Sequence, residues 1–482
     1  MGEIQSGVQT ENGLALDTFA QSPLSRARMK HLRIIGGVAA GAIGGAAALA
    51  AGQPGPIAWT IAITALTAVW WITEAIPIPA ASIVPFALFP MAGVLDHRDA
   101  AAALGDHVIV LLMGGFMLSK GLEKSGVHER LALYMIGLVG ASGKRLVWGF
   151  MIASALVSMW VSNTSTVLML LPIALAILAR ANDRSLDAPV VLGIAYAASI
   201  GGLGTLIGTP PNVIFAGLYE KATGVEYGFL AWMRVGAPVV AISIPLAALW
   251  LTRNVTARER IAIPDPGRWR TEEVRTLLVF AGAVLLWVTR SEPFGGWSGL
   301  FGVNGAGDST VALLAVIAMF LIPGAKGEAL LDWKSAVDIP WGMLLLFAGG
   351  ICIAAAFEKS GLSALIGTSL AGAGVLPVFV LMLMICLAVT FMSELTSNTA
   401  VATLILPVLA AAAGGLGFAP AILMVPAAMA ASSGFMLPVS TAPNAIAYGT
   451  GRVSVSLMAR EGAALNFMLA AVIASVCYLS LR

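Results

Sequence analysis

Charge is scarce in this chain. Charged side chains make up 11% of its 482 residues and hydrophobic ones 59%, whereas an ordinary soluble domain carries about 25% charged residues. This composition leaves no room for a large soluble domain. It predicts an all-α polytopic membrane protein, long enough for about 11 transmembrane helices of roughly 20 residues each.

Cysteine and histidine are scarce as well. The three cysteines, Cys352, Cys386 and Cys477, lie far apart in apolar stretches, so we expect buried thiols and no disulfide. The four histidines are scattered without the spacing of metal ligands. An intramembrane enzyme would need a nucleophile with a base, or metal ligands, at membrane depth, and the sequence assembles neither. We therefore expect no enzyme, no cofactor and no metal other than a coupling cation.

Repetition, by contrast, is extensive. The tripeptide Ser-Asn-Thr occurs at positions 162–164 and again at 397–399, an offset of 235 positions. The same offset relates Gly114 and Gly115 to Gly349 and Gly350, Glu123, Lys124, Ser125 and Gly126 to Glu358, Lys359, Ser360 and Gly361, and Pro172 to Pro407. One register across several motifs predicts two homologous units, and internal duplication is typical of secondary transporters.

Polar interruptions split four of the apolar stretches. In 146–179 and 375–413 the interruption is the repeated tripeptide, and the arms beside it are short for full spans, so each stretch predicts a re-entrant helical hairpin. In 192–219 and 422–447 the interruptions are Gly-Thr-Pro-Pro-Asn at 208–212 and Ser-Thr-Ala-Pro-Asn at 440–444. Proline removes a backbone donor and clashes with the preceding turn, so these two stretches predict broken spans.

The order of these stretches predicts six segments. They are a cytoplasmic N-terminal segment (1–31), N-terminal scaffold helices (32–106), a first repeat (107–229), scaffold helices with a cytoplasmic connection (230–340), a second repeat (341–461) and a C-terminal transmembrane helix (462–482). An N-terminus in the cytoplasm puts most of the 27 Lys and Arg residues on the cytoplasmic side, and it runs the two repeats in opposite directions. We expect inverted repeats in an integral protein of the bacterial inner membrane.

The four interruptions suit an anion and a cation together. Backbone opened inside a membrane costs several kcal/mol per unsatisfied group unless it lines a polar cavity or meets a ligand. Helix N-termini offer N–H groups to an anion, while freed carbonyls, hydroxyls and amide oxygens suit a hard cation such as Na⁺. No Arg or Lys occurs in any of the four interruptions. Helix dipoles and bound cations must therefore balance the negative charge of the anion. This favours cation-coupled transport over simple anion exchange.

These motifs resemble the divalent anion/sodium symporter family. The resemblance covers nearly the whole chain and rests on the two tripeptides, the two proline-containing loops and Trp-Ile-Thr-Glu-Ala-Ile-Pro at 71–77. It implies a homodimer of the ion transporter superfamily, in which a transport domain carries substrate past a scaffold domain by an elevator-type movement. The chain departs from the family at Ala442, where proline is usual, so the resemblance does not fix the shape of the pocket or the choice of substrate there.

The resemblance also implies a site. Substrate carboxylates would contact Asn163, Thr164, Thr209, Ser397, Asn398, Thr399 and Thr441. One Na⁺ would bind Ser158, Ser162, Asn163 and Gly208, and a second would bind Ser393, Thr396, Asn398 and Ser440, several of them through backbone carbonyls. The expected partners are therefore a small dianion, Na⁺, the lipid bilayer and a second copy of the chain, with no nucleic acid.

The sequence predicts a secondary transporter that couples Na⁺ influx to uptake of a small divalent anion. A C4-dicarboxylate such as succinate, malate or fumarate is the first candidate. A sulfate or citrate symporter and a Na⁺-independent dicarboxylate exchanger are alternatives. An anion channel is the alternative of another class, but channels are typically built from filter rings of an oligomer and not from paired hairpins within one chain.

Overall fold

The computed structural model describes residues 23–140, 142–179, 183–256, 265–292, 295–303, 305–325, 327–370 and 376–481. Most of the predicted N-terminal segment lies outside the described residues. So do position 375, where the second predicted hairpin begins, and position 482.

Helices account for nearly all regular structure. The first group is α1 (Pro23–Ala50), α2 (Gly55–Thr73), α3 (Ile78–Ala81), α4 (Val84–Met91), α5 (His97–Leu104), α6 (His107–Ser125) and α7 (Val127–Val139). The second group is α8 (Gly143–Ser158), α9 (Asn163–Leu178), the 3-10 helix Arg184–Leu186, α10 (Asp187–Gly202), α11 (Pro210–Thr223) and α12 (Phe229–Thr252).

The second half of the chain continues the pattern. The third group is α13 (Thr271–Val288), α14 (Gly296–Leu300), α15 (Asp308–Leu321), α16 (Trp333–Ala336), α17 (Trp341–Ser360) and α18 (Leu362–Leu370). The last group is α19 (Val378–Leu395), α20 (Asn398–Gly415), α21 (Ala421–Ala431), α22 (Ala442–Gly449) and α23 (Val455–Ser480).

The all-α polytopic prediction is confirmed. The described residues form no strand beyond one isolated bridge between Pro323 and Ala329. Nine helical segments among them are long and apolar enough to cross a membrane, and four further apolar helices have 10–17 residues. The long segments are fewer than the eleven or so predicted because interruptions shorten several others, among them the hairpin arm Asn163–Leu178 and the broken helix Ala421–Ala431.

Glycine ends two helices at corresponding positions. Gly126 follows α6 and Gly361 follows α17, with φ angles of 75° and 84° that glycine adopts without a steric penalty. Lys124, just before the first glycine, lies 2.5 Å from Asp332, and its ammonium lowers the pKa of that carboxyl to about 2. Lys359, just before the second, lies 2.7 Å from Asp99. Both lysines are therefore ion-paired.

The hairpins and broken spans pack in corresponding ways. α8 packs against α10 and α12, as α19 packs against α21 and α23. α9 packs against α22, and α20 packs against α11, so each hairpin also contacts the broken span of the other half. Buried apolar side chains run continuously through these helices. The two hairpin tips and the two breaks are thereby brought to one place.

Candidate functional site

The first hairpin tip is held by its own polar side chains. α9 begins at Asn163 because Ser162 caps it, with the Ser162 hydroxyl oxygen accepting from the Ser165 N–H at 3.1 Å. Ser158, at the end of α8, donates its hydroxyl to the Asn163 side-chain oxygen at 2.6 Å. The amide oxygen of Asn163 is therefore fixed in position at the start of α9.

The second tip is less tightly bonded. α20 begins at Asn398, whose side-chain oxygen is buried and has no hydrogen-bond partner among the described residues. Ser393 and Thr396 donate instead to backbone carbonyls of α19, those of Thr390 at 2.8 Å and Met392 at 2.9 Å. The amide oxygen of Asn398 is thus available to a ligand, because an unpaired buried acceptor is costly.

An asparagine secures each break in the same way. Asn212, in the first turn of α11, donates its side-chain amide to the carbonyls of Gly202 and Thr205 at 2.9 and 2.8 Å. Asn444, in the first turn of α22, donates to Gly434 and Leu437 at 3.2 and 3.1 Å. The bonds span 10 and 7 residues in both halves. Each asparagine therefore satisfies carbonyls that the interrupted helix leaves free.

The tips and breaks surround one cavity of about 840 Å³. All seven residues predicted to contact substrate line it: Asn163, Thr164, Thr209, Ser397, Asn398, Thr399 and Thr441. Six of the predicted Na⁺ ligands also line it: Ser162, Asn163, Gly208, Thr396, Asn398 and Ser440. Ser158 and Ser393 are fully buried behind the wall. Ala442, the departure from the family pattern, lies in the wall beside Thr441.

Four helix N-termini meet at this cavity. α9, α11, α20 and α22 all begin at residues that line it. The first turn of a helix presents the positive end of the helix dipole and, in general, unpaired N–H groups. Pro210 and Pro211 remove those N–H groups from the start of α11, so α11 contributes its dipole alone. The cavity can therefore stabilise negative charge without a cationic side chain at its centre.

Charged side chains line one end of the cavity. Lys120 of α6 lies 3.1 Å from both Glu123 and Asp338, so two carboxylates neutralise it. Glu74 also lines this end, at a left-handed position that closes α2. Within the described residues no group of three or more His, Cys, Asp or Glu side chains is placed to hold a metal ion.

Some cavity residues were not predicted. Ser432 lies 3.1 Å from Thr209, hydroxyl to hydroxyl, and joins the second break to the first. Ser199 of α10 lines the cavity, and its buried hydroxyl has no partner among the described residues. Neither serine belongs to a repeated motif, since the residues at the corresponding places in the other half are Ile200 and Ala431. The duplicated pattern therefore gave no signal for them.

The fold and this cavity define a polytopic helical membrane transporter, in which paired hairpins and broken helices enclose a polar site. The chain belongs to the citrate transporter family, because the sequence model of that family (CitMHS) matches residues 68–425. The prediction of a transporter and not an enzyme is thereby confirmed.

Named relatives agree with this assignment. The sodium-dependent dicarboxylate transporter SdcS of Staphylococcus saprophyticus subsp. saprophyticus is 39% identical over 445 residues, which cover 87% of this chain and 85% of that protein. SdcS of Staphylococcus aureus (strain USA300) is 37% identical over 447 residues with the same coverage. The resemblance to divalent anion/sodium symporters, predicted from the motifs, is confirmed by these relatives.

A solved structure supports the fold. The YdaH transporter of Alcanivorax borkumensis, whose topology is described as unusual, is similar with a TM-score of 0.56. The alignment covers 78% of this chain and 86% of that one at 16% sequence identity. At this identity the likeness concerns the fold alone.

Proposed function

We propose that this protein couples Na⁺ influx to uptake of a small divalent anion, first of all a C4-dicarboxylate such as succinate, malate or fumarate. The observation that carries the proposal is the cavity itself, in which four helix N-termini and a set of neutral oxygens meet, with no unpaired cationic side chain among the described residues that line it. Relatives that are 37–39% identical are named sodium-dependent dicarboxylate transporters, which supports both the ion and the substrate class.

The two cation sites follow the two tips. The first Na⁺ would be held at the first tip and break by Ser158, Ser162, Asn163 and Gly208, and the second at the corresponding place by Ser393, Thr396, Asn398 and Ser440. Ser158 contributes through its bond to Asn163, since it does not line the cavity. Neutral hydroxyl, amide and carbonyl oxygens are the ligands that a hard cation accepts.

The substrate would lie between the tips. One carboxylate faces Asn163, Thr164 and Thr209, and the other faces the corresponding groups at the second tip: Ser397, Asn398, Thr399 and Thr441. Each carboxylate would meet a helix N-terminus and neutral donors, and the bound cations would offset its remaining charge. A dianion with one carboxylate at each end therefore matches a cavity with one hairpin tip on each side.

The same arrangement supports an elevator-type movement of inverted repeats. The hairpins, the broken spans, α12 and α23 pack on one another, and we place these elements in the moving unit. α6, α13, α15 and α17 belong to the scaffold, in which α13 and α17 each contact α6. This division moves α12, at 229–252, from the predicted scaffold segment to the moving unit.

A hydrogen bond and an ion pair join the proposed scaffold to the proposed moving unit. His107 at the start of α6 lies 2.5 Å from Glu220 near the end of α11, and Asp106 lies 3.4 Å from the neighbouring Lys221. The charged end of the cavity, at Lys120 and Asp338, belongs to the face that the positive-inside rule assigns to the cytoplasm. The proposed state is therefore open to the cytoplasm. We also propose that the N-terminus lies in the cytoplasm and that the protein is a homodimer in the bacterial inner membrane.

Citrate is the second candidate substrate, because the family model that matches 68–425 describes citrate transporters. The test is uptake of radiolabelled succinate into proteoliposomes with and without an inward Na⁺ gradient, with citrate and sulfate as competitors. We expect accumulation that requires the Na⁺ gradient and is suppressed more by unlabelled dicarboxylates than by citrate or sulfate. Exchange without any Na⁺ effect would favour an antiporter, and conductance without substrate would favour a channel.

A further inference from the structure

Glu394 is a buried carboxylate at the C-terminal end of α19, three residues before the second tripeptide. Its side chain is 3% exposed. One carboxylate oxygen accepts from the Phe435 and Met436 backbone N–H groups at 2.7 and 2.8 Å, and the other accepts from Leu437 at 3.1 Å. The side-chain amide of Asn466 in α23 donates to the same carboxylate at 2.7 Å.

No cationic side chain pairs with this carboxylate in the part of the chain that the structure describes. Its hydrogen-bond partners are three peptide N–H groups and one amide, so dipoles alone stabilise its charge. A buried carboxylate without a counter-ion is costly, even when it is hydrogen-bonded. A cation bound nearby would offset that cost.

The second predicted Na⁺ site is adjacent to this carboxylate. Gly434 lies between the two: a Cβ built on it would stand 3.5 Å from the Glu394 carboxyl carbon and 3.2 Å from the Ser440 Cβ. Ser393, another predicted ligand, is the preceding residue in the chain. The carboxylate oxygens face the 435–437 backbone, so Glu394 acts on the site by its field and by holding the break in place.

The first break has no such charge. Met159 occupies the position that corresponds to Glu394, and there the backbone carbonyl accepts from the Thr205 hydroxyl. The N–H groups of Leu203 and Gly204 continue the helix by bonding to the carbonyls of Ile200 and Gly201 at 3.1 and 2.9 Å. A broken span of this kind can therefore be satisfied without a carboxylate, and the two halves differ by one negative charge.

From these contacts we infer that Glu394 makes the second Na⁺ site the tighter of the two, as a positioning residue whose charge attracts the cation without coordinating it. The inference rests on the proposed function. A unit charge several Å away, at an effective dielectric constant of about 20, changes cation affinity by about tenfold or more. Na⁺ would accordingly bind first at the second tip and order the Asn398 side chain for the substrate.

The test measures Na⁺ binding without substrate. Purified protein is unfolded thermally at increasing NaCl, with KCl holding the ionic strength constant, for wild type, Glu394→Gln and Glu273→Gln. Glu273 is the matched control, because it too is a buried carboxylate, but it accepts from Arg130 and Arg270 in another cluster. We expect Glu394→Gln to raise the Na⁺ concentration for half-maximal stabilisation about tenfold, and Glu273→Gln to lower stability without moving that concentration.

A second variant covers the case in which Glu394→Gln does not fold. Asn466→Leu removes the amide that donates to the carboxylate and the side-chain oxygen that accepts from the Phe435 N–H, and it leaves the three peptide donors to Glu394. The carboxylate charge is then less well balanced, so the field at the site should increase and less Na⁺ should be needed. An unshifted Na⁺ dependence in Glu394→Gln, or a higher Na⁺ requirement in Asn466→Leu, overturns this inference alone. A wild-type protein stabilised equally by NaCl and KCl overturns the proposed function together with it.

Discussion

The two broken spans both open their backbone at the cavity, but different side chains stabilise the two breaks. In each, an asparagine after the break donates to two carbonyls, and the spacing of those bonds is identical. The first break is otherwise held by neutral groups, since the indole N–H of Trp232 donates to the Leu203 carbonyl at 2.9 Å. The second is held by the Glu394 carboxylate. The two tripeptides and the asparagines after the breaks recur, whereas the groups that hold the breaks from behind do not, so the two halves need not bind ions equally.

The largest effect is expected at the two tip asparagines. Asn163→Ala and Asn398→Ala should each abolish Na⁺-driven succinate uptake, because each amide is proposed to serve both ion and anion. Their stabilities should differ. Asn163→Ala leaves the buried Ser158 hydroxyl without its acceptor and should cost about 1–3 kcal/mol, whereas the Asn398 oxygen has no such partner to lose.

Uptake into proteoliposomes and thermal unfolding in detergent separate these two effects. Near-normal uptake in either variant would remove the site assignment. Equal losses of stability in both would contradict the difference between the tips.

The asparagines after the breaks offer the next comparison. Asn212→Leu removes both amide bonds to Gly202 and Thr205, and we expect a loss of about 1–3 kcal/mol. Asn444→Leu should cost less, about 0.5–1.5 kcal/mol, because the Ser440 hydroxyl can still donate to one of the two carbonyls, that of Leu437 at 2.8 Å. Denaturation of the two variants in the same detergent checks the order, and a greater loss for Asn444→Leu would contradict it.

Trp232→Phe tests the neutral support of the first break. It removes one hydrogen bond to the Leu203 carbonyl while the ring still packs, so the expected loss of stability is about 0.5–1.5 kcal/mol. The Na⁺ concentration for half-maximal uptake should stay at the wild-type value, in contrast to Glu394→Gln. A shift as large as that of Glu394→Gln would indicate that any damage to a break weakens ion binding.

The smallest effect is expected at Ala442. This residue begins α22, as Pro210 begins α11, and proline is tolerated in the first turn of a helix. Ala442→Pro should therefore fold and gain about 0.4–1 kcal/mol by restricting the unfolded chain. The same variant, assayed with citrate, sulfate and dicarboxylates as competitors, measures how far this position sets substrate choice. A large loss of stability would indicate that the second break has a different backbone from the first.

Much of this architecture was predictable because it is duplicated. The 235-residue register identified both tips, and the prolines identified both breaks because they lie in the first turns of α11 and α22. Periodicity and composition do not encode long-range packing. The packing of α12 and α23 against the broken spans depends on close approaches at Gly236 and Gly462, which each lie against the backbone of a break. The role of Glu394 was not predictable from the repeat, because the corresponding residue in the first half is Met159 and no duplicated motif marks the position.

The central claim is that Na⁺ and a dicarboxylate bind together in one cavity. The most direct test is the affinity of the purified protein for succinate, measured by calorimetry at low and at high NaCl, with choline chloride holding the ionic strength constant. Linked binding predicts that succinate affinity rises about tenfold or more with Na⁺, and that succinate raises Na⁺ affinity by the same factor. Succinate that binds equally well in choline chloride would contradict the account.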